Sequence, residues 1–136
     1  MYKNRLKYYI PFEVVVIPEL KNTKSLSIAE QKEKEADLLL KVFETSDDIV
    51  LLDEKGKQFT SVEFSVFLEK KQQIGNRNIV FVVGGPYGFS DRIYNRADSL
   101  ISLSKMTFSH QMVRVFFLEQ LYRAMTIQKG DPYHHE

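Results

Sequence analysis

Apolar residues follow two patterns along this chain, and the alternation of those patterns predicts its architecture. Almost continuously apolar runs at Asp48–Asp53 and Asn78–Val83 are typical of strands covered on both faces of a sheet. Phe12–Ile17 is rich in β-branched residues and predicts another strand, ended by Pro18. A shorter strand is predicted at Ser99–Leu103.

Segments with helical spacing lie between these strands. Ser27 with Glu30, and Thr60 with Glu63, fit the capping box in which a hydroxyl and a carboxylate satisfy the first backbone N–H groups of a helix. Glu54–Gly56 is predicted to turn the chain. The predicted helices are Ile28–Phe43, Ser61–Gln73, a short one from Ser90 to about Ala97, and one capped by Ser109 that runs to about Ile127. Alternating strands and helices predict a single α/β domain over residues 1–136, with a mainly parallel sheet flanked by helices.

The final predicted helix has more apolar surface than one buried stripe requires. Two adjacent faces carry apolar residues: Val113, Phe116, Phe117, Leu121 and Ala124 on one, and Met112, Val115, Leu118, Tyr122 and Met125 on the other. An amphipathic helix on a monomer typically needs only the first set. The second set favours a partner surface, most simply another copy related by a two-fold axis. The alternative is a helix buried deeply within its own domain.

Composition narrows the function classes. The chain has 136 residues and no cysteine, which excludes disulfides, thiolate metal sites and a cysteine nucleophile. A formal charge of +1 is not that of a protein that binds nucleic acid through its global charge, so any contact with RNA must be local or be supplied by a larger assembly. No apolar run approaches the ~20 residues that cross a bilayer, and no signal peptide is recognisable, so we expect a cytoplasmic protein without a membrane partner.

Two loops are candidate ligand sites. Gly84–Gly88 (GGPYG) follows a buried strand, and ligands of open α/β sheets bind at the carboxyl ends of strands. A plain tight turn is an equal alternative, and the dinucleotide fingerprint is a poor match. Ser102–His110 could line an apolar slot, although such a loop is more often a simple connection. Arg114 and Arg123 lie on the nearly apolar last helix, about 13 Å apart along its axis. Arg123 is the better candidate because it lies nearer the C-terminus, and a solvated charge or a structural ion pair is its alternative.

The tail itself, Tyr133, His134 and His135, would usually be disordered. The histidine pair suggests a metal site only weakly, because no third ligand has convincing spacing, so no metal is expected.

Taken together, several motifs resemble a known family. They are GGPYG after a strand, the loop SLSKMTFSH, the helix segment VRVFFLEQLYRA, the terminal PYH, and LLDEKGK upstream. They are similar in order and spacing to the SPOUT-class methyltransferases that modify N3 of pseudouridine in large-subunit ribosomal RNA. The similarity runs from about Phe12 to Glu136.

The resemblance implies a C-terminal trefoil knot, an exception to the usual absence of knots. S-adenosylmethionine would bind in the knot, with Leu52 beside the adenine and Gly84 and Gly85 giving backbone room. The segment wrapping the cofactor would be Leu103, Ser104, Lys105, Met106, Thr107 and Phe108. The resemblance also implies a homodimer with its active site across the interface, and the assembled ribosome as substrate.

For catalysis, the resemblance makes Tyr133 and His134 candidates for a base or an orienting group. Arg123 would stabilise negative charge on the uracil oxygens or bind phosphate. Two departures bear on this. The first is His135, which stands where many relatives have Arg. The second is that the chain begins about twenty residues into the family pattern. We therefore expect the family's first strand to be missing and a sheet edge to be exposed. The alternative function is a catalytically silent, knotted module that binds the ribosome or RNA.

Overall fold

A three-stranded parallel sheet lies at the centre of the fold, with strand order β2–β1–β3 in the part of the chain that the structure describes. The structure is a computed structural model, and it describes residues 2–6, 9–13, 15, 23–75, 77–85, 87–104, 106 and 108–135. The elements are α1 (Tyr2–Leu6), a 3-10 turn (Thr23–Ser25), α2 (Ile28–Val42), β1 (Asp48–Gln58), α3 (Ser61–Ile74), β2 (Ile79–Val83), α4 (Asp91–Arg96), β3 (Ser99–Ser102) and α5 (His110–Lys129). The predicted α/β class and parallel sheet are confirmed. The C-terminal knot implied by the resemblance is not visible in these described ranges.

The helix starts follow the local sequence signals. Ser27 and Thr60 each form a complete capping box, as predicted, because each side chain accepts from the third helical residue while that residue's glutamate accepts in return. The Ser109 hydroxyl accepts from the Met112 N–H at 3.4 Å and begins α5. Ser90 precedes α4 as predicted, but its side chain makes no capping bond.

The predicted turn at Glu54–Gly56 is wrong. These residues lie inside β1, where the register against β3 shifts between Leu52 and Lys57. The Lys55 N–H donates to the Asp53 carboxylate at 2.8 Å and helps to shape this irregularity. A Cβ at Gly56 would lie 2.6 Å from the Ile101 backbone, so only glycine allows β1 to approach β3 so closely.

The predicted strand at Phe12–Ile17 is not confirmed. Phe12, Glu13 and Val15 have no strand structure, and the rest of that prediction (Val14, Val16 and Ile17) lies outside the described residues. Phe12 instead packs against the core, and Val15 is 57% exposed. A β-branched sequence forms a strand only where it pairs with a sheet edge, and none of the described residues of this segment pairs with β2 or β3, the two outer strands.

The prediction for the last helix is wrong in its division into two faces. Phe117, Leu121, Ala124 and Met125 are all buried, although they come from both predicted faces. The helix is divided along its length instead. From Phe117 onward α5 packs against α3 and α1, where Leu6 is completely buried, while Met112, Val115 and Phe116 before it are exposed. Neither α5 nor any other described helix combines the length and apolarity that a membrane span requires.

Candidate functional site

The sheet register brings the predicted ligand segments to one edge. Leu52 of β1 lies level with Val83 of β2 and Ile101 of β3. The strands are parallel, so the glycine turn that follows Val83 and the loop that follows Ser102 leave from the same carboxyl edge. This is the edge at which open α/β sheets bind ligands.

The glycine turn is closed on itself. Gly85 and Gly88 form an antiparallel bridge in which the Gly88 N–H donates to the Gly85 carbonyl at 3.2 Å, with Gly88 at a φ of 80°. A Cβ at Gly84 would lie 3.0 Å from the buried Phe89 ring, and one at Gly85 would lie 2.9 Å from the Glu35 carboxylate. The two glycines therefore allow neighbouring side chains of the same domain to approach.

A cleft of about 330 Å³ opens beside the second loop, and we call it the loop cleft. Its lining residues are Phe59, Thr60, Ser61, Phe64, Ile101, Ser102, Leu103, Ser104, Phe108, Phe116, Glu119 and Gln120. Aromatic rings and aliphatic side chains form one part of the wall, and hydroxyl, amide and carboxylate groups form the other. This size and this mixture are those of a small-molecule site.

The predicted cofactor residues are divided between the loop cleft and its surroundings. Leu103, Ser104 and Phe108 line it, and the Ser102 hydroxyl donates to the Ser104 carbonyl at 2.8 Å. The exposed Met106 follows, with its N–H donating to the Ser104 hydroxyl at 3.0 Å. Lys105 and Thr107 lie outside the described residues. The cleft lining does not include Leu52, Gly84 or Gly85.

The three predicted catalytic residues are brought together around a fourth, Glu119. Arg123 donates to one Glu119 carboxylate oxygen through Nε, at 3.1 Å, and through Nη2. The Tyr133 hydroxyl donates to the same oxygen at 3.1 Å. Arg123 Nη1 lies 3.1 Å from His134 Nδ1, and its guanidinium lies 4.9 Å from the centre of the Tyr133 ring. We call Glu119, Arg123, Tyr133 and His134 the tail cluster.

In the tail cluster, Arg123 and Tyr133 are donors and Glu119 is their shared acceptor. The bond to Glu119 raises the pKa of Arg123. The pKa of Tyr133 is raised by its hydrogen bond with Tyr2, by burial and by Glu119, so the phenol is neutral at neutral pH. A guanidinium cannot accept, so His134 Nδ1 is the acceptor and the proton of the neutral ring lies on Nε2.

Glu119 and Gln120 were not among the site residues predicted from the sequence. Glu119 lines the loop cleft and belongs to the tail cluster, so it connects the two. The available signal was its spacing of four residues from Arg123. Gln120 accepts from the Ser61 hydroxyl at 2.8 Å and so joins α5 to the start of α3. Arg114 and His135 are exposed, and within the described ranges no three His, Asp or Glu side chains gather as metal ligands would.

Comparison with known proteins gives one family. The family model for the predicted SPOUT methyltransferases matches residues 1–134. Three relatives share the name "Ribosomal RNA large subunit methyltransferase H". The protein from Parabacteroides distasonis is 63% identical, that from Christiangramia forsetii 58% and that from Flavobacterium johnsoniae 55%. Each match covers 135 residues, which is 99% of this chain and 86% of the relative. The chain therefore belongs to the SPOUT methyltransferase family and is an enzyme of the methyltransferase class.

Proposed function

We propose that this enzyme transfers the methyl group of S-adenosylmethionine to N3 of a pseudouridine in large-subunit ribosomal RNA. It would act in the cytoplasm, on the assembled ribosome, as a homodimer. The observation that carries the proposal is the identity of 63% across 99% of the chain to a protein named as a large-subunit ribosomal RNA methyltransferase. The tail cluster supports it, because it gathers the residues that the resemblance assigns to the substrate.

The loop cleft fits the cofactor in size and chemistry. Phe59 and Phe64 offer apolar walls for a purine ring, and Ser104 offers hydrogen bonds. S-adenosylmethionine would supply a methyl group activated by a positively charged sulfur. We assign its binding to Leu103, Ser104, Lys105, Met106, Thr107 and Phe108, with Leu52, Gly84 and Gly85 bordering the site from the same sheet edge.

The chain's own residues would orient the base and stabilise the charge that forms on it. The imide N3 of pseudouridine is protonated near neutral pH, so this proton must pass to solvent water before or during attack. Arg123 is a permanent cation that could stabilise negative charge on the uracil oxygens. His134 Nε2–H and the neutral Tyr133 phenol are suited to orienting the ring, since neither presents a free basic atom in this arrangement. Positioning in line with the methyl donor would supply much of the rate.

The homodimer is supported by an apolar strip at the free end of α5. We define the apolar strip as the exposed residues Met106, Phe108, Met112, Val115 and Phe116. Phe108 and Phe116 contact each other with ring centres 5.1 Å apart, and both also line the loop cleft. A second copy covering the strip would therefore border the cofactor site as well as bury apolar surface.

Two measurements test the proposal. Calorimetric titration with S-adenosylmethionine should show saturable binding, and its absence would contradict cofactor use. Ribosomes from a strain that lacks the enzyme should then gain one methyl group, and mass spectrometry of the nucleosides should identify it as N3-methylpseudouridine. Ribosome binding without methyl incorporation would instead support the silent module.

The residue assignments have their own test. Arg123→Ala and His134→Ala should each reduce methylation at saturating substrate by roughly tenfold or more, the scale of lost charge-assisted bonds. Arg114→Ala, an exposed change on the same helix, is the matched control and should be close to wild type. Normal rates in both tail variants would overturn the assignment.

A further inference from the structure

A second cleft, of about 470 Å³, lies on the surface beside the tail cluster. It is lined by Arg5, Tyr9, Tyr122, Lys129 and Asp131, and we call it the tyrosine cleft. Arg5 comes from α1, Tyr9 from the segment after it, and the others from the end of α5 and the residue beyond its C-cap. The proposed methyl transfer uses none of these side chains.

The cations of the tyrosine cleft are held by rings instead of carboxylates. Arg5 lies 5.6 Å from the centre of the Tyr122 ring, and the Lys129 ammonium lies 5.0 Å from that of Tyr9. Neither cation forms a salt bridge with a described residue. Their charges are therefore positioned but not neutralised.

The one carboxylate among the described lining residues has a partner. Asp131 accepts from the Tyr9 hydroxyl at 2.7 Å. This bond, with burial and the charge of Asp131, raises the pKa of Tyr9 to about 12, so Tyr9 stays neutral at neutral pH. Among the described lining residues, two cations and one carboxylate leave an excess of one positive charge, which suits an anionic ligand.

The tyrosine cleft is continuous with the tail cluster through one ring. Tyr122 packs edge-on against Tyr133, with ring centres 4.7 Å apart, and Arg123 lies over Tyr133. Tyr122 also packs edge-on against Tyr9, with ring centres 5.8 Å apart, so three tyrosine rings in succession connect Lys129 at one end to Arg123 and His134 at the other. Grooves that combine cations with aromatic rings are the usual means of following a single nucleic-acid strand.

We propose that the tyrosine cleft binds the phosphate backbone of the ribosomal RNA strand next to the target nucleotide, with Arg5 and Lys129 as the phosphate ligands. This inference rests on the proposed function, because it takes the RNA substrate from it. It explains how a chain with a formal charge of only +1 engages RNA: the contact is local and lies beside the reacting end.

The test is the salt dependence of ribosome binding. Each phosphate contact to a single strand contributes about 0.7 to the slope of log affinity against log salt. The double variant Arg5→Gln/Lys129→Gln should therefore lower that slope by about 1.4 and weaken binding at low salt, with unchanged affinity for S-adenosylmethionine. The matched control is Lys34→Gln/Lys41→Gln, which removes two exposed charges from α2 and should keep the wild-type slope.

A charge-preserving variant separates charge from packing. Arg5→Lys/Lys129→Arg should retain most of the slope. The inference is overturned if Arg5→Gln/Lys129→Gln has the same salt slope as its control. It is also overturned if the charge-preserving variant loses as much of the salt slope as the neutral variant. If the wild type does not methylate ribosomes but the neutral variant still lowers the salt slope, the proposed function is contradicted and the phosphate site is supported.

Discussion

Arg123 uses three of its nitrogens on two side chains, and this residue shows how the tail is held. Two nitrogens donate to Glu119 and the third to His134, while the guanidinium face lies over Tyr133. The resemblance pointed to Arg123, Tyr133 and His134 together. It could not reveal Glu119, because Glu–Arg pairs four residues apart are common on solvated helix faces. Only the fold of the tail against α5 makes that carboxylate a shared acceptor.

Glu119→Gln tests the shared acceptor. The amide keeps the shape but removes the negative charge that orients Arg123 and Tyr133, so we expect kcat/KM for ribosomes to fall by roughly 10- to 100-fold, the scale of a charge-assisted bond. Glu69→Gln, an exposed change on α3, is the control. A wild-type value of kcat/KM in Glu119→Gln would show that the charge is dispensable.

The raised pKa of Tyr9 predicts a loss of folding stability at alkaline pH. Its folded pKa of about 12 lies above the ordinary value of 10.0, so the bond to Asp131 stabilises the fold fully below about pH 10. That contribution is lost as the pH rises from about 10 through 12. The free energy of unfolding, measured with urea, should therefore differ between wild type and Tyr9→Phe at pH 8, and the difference should shrink by pH 11. A difference that is constant across this range would contradict the assignment.

At the scale of helices and strands, the sequence predicted the features that depend on residues close to one another in the chain. The capping boxes at Ser27 and Thr60 were predictable because each cap involves residues only three positions apart. The course of β1 was not, because Asp53–Gly56 has the composition of a turn and only its pairing with β3 keeps it in the strand. Likewise, the strand propensity of Phe12–Ile17 did not decide its structure, because Phe12, Glu13 and Val15 do not pair with the sheet.

Gly56→Ala tests the close approach of β1 to β3. The new Cβ would meet the Ile101 backbone at 2.6 Å, which no side-chain movement relieves, so we expect a loss of roughly 2–4 kcal/mol in the free energy of unfolding. Gly130→Ala is the comparison: it has no neighbour within 4 Å but has a φ of 75°, and it should cost about 1 kcal/mol. Equal losses measured by urea unfolding would show that the clash at Gly56 is not the larger effect.

At the scale of the whole molecule, the packing of a single chain does not explain why the apolar strip is exposed. A surplus of apolar residues on the last helix was predictable, but which of them would be exposed depended on where α1 and α3 pack. The trefoil knot is characteristic of the SPOUT family and leaves no periodic trace in a sequence, so only the resemblance could suggest it.

Val115→Glu tests the homodimer. The side chain is 51% exposed, so a charge there should be tolerated by the monomer but should disrupt a second copy seated on the apolar strip. We expect a shift from dimer to monomer in analytical ultracentrifugation, with methylation lost in parallel. Val66→Glu on α3, where the valine is 44% exposed, is the matched control and should stay dimeric. An unchanged dimer in Val115→Glu would place the interface elsewhere.

The packing of Leu6 against α5 also bears on how the chain is made. This fully buried residue of α1 belongs to the same core cluster as Leu121 and Met125, more than a hundred positions later. At about 5–20 residues per second, ribosomes would need on the order of ten seconds to supply those partners. During synthesis the apolar side of α1 therefore stays uncovered by α5 until those later residues have emerged, and this core cluster closes only after α5 has been made.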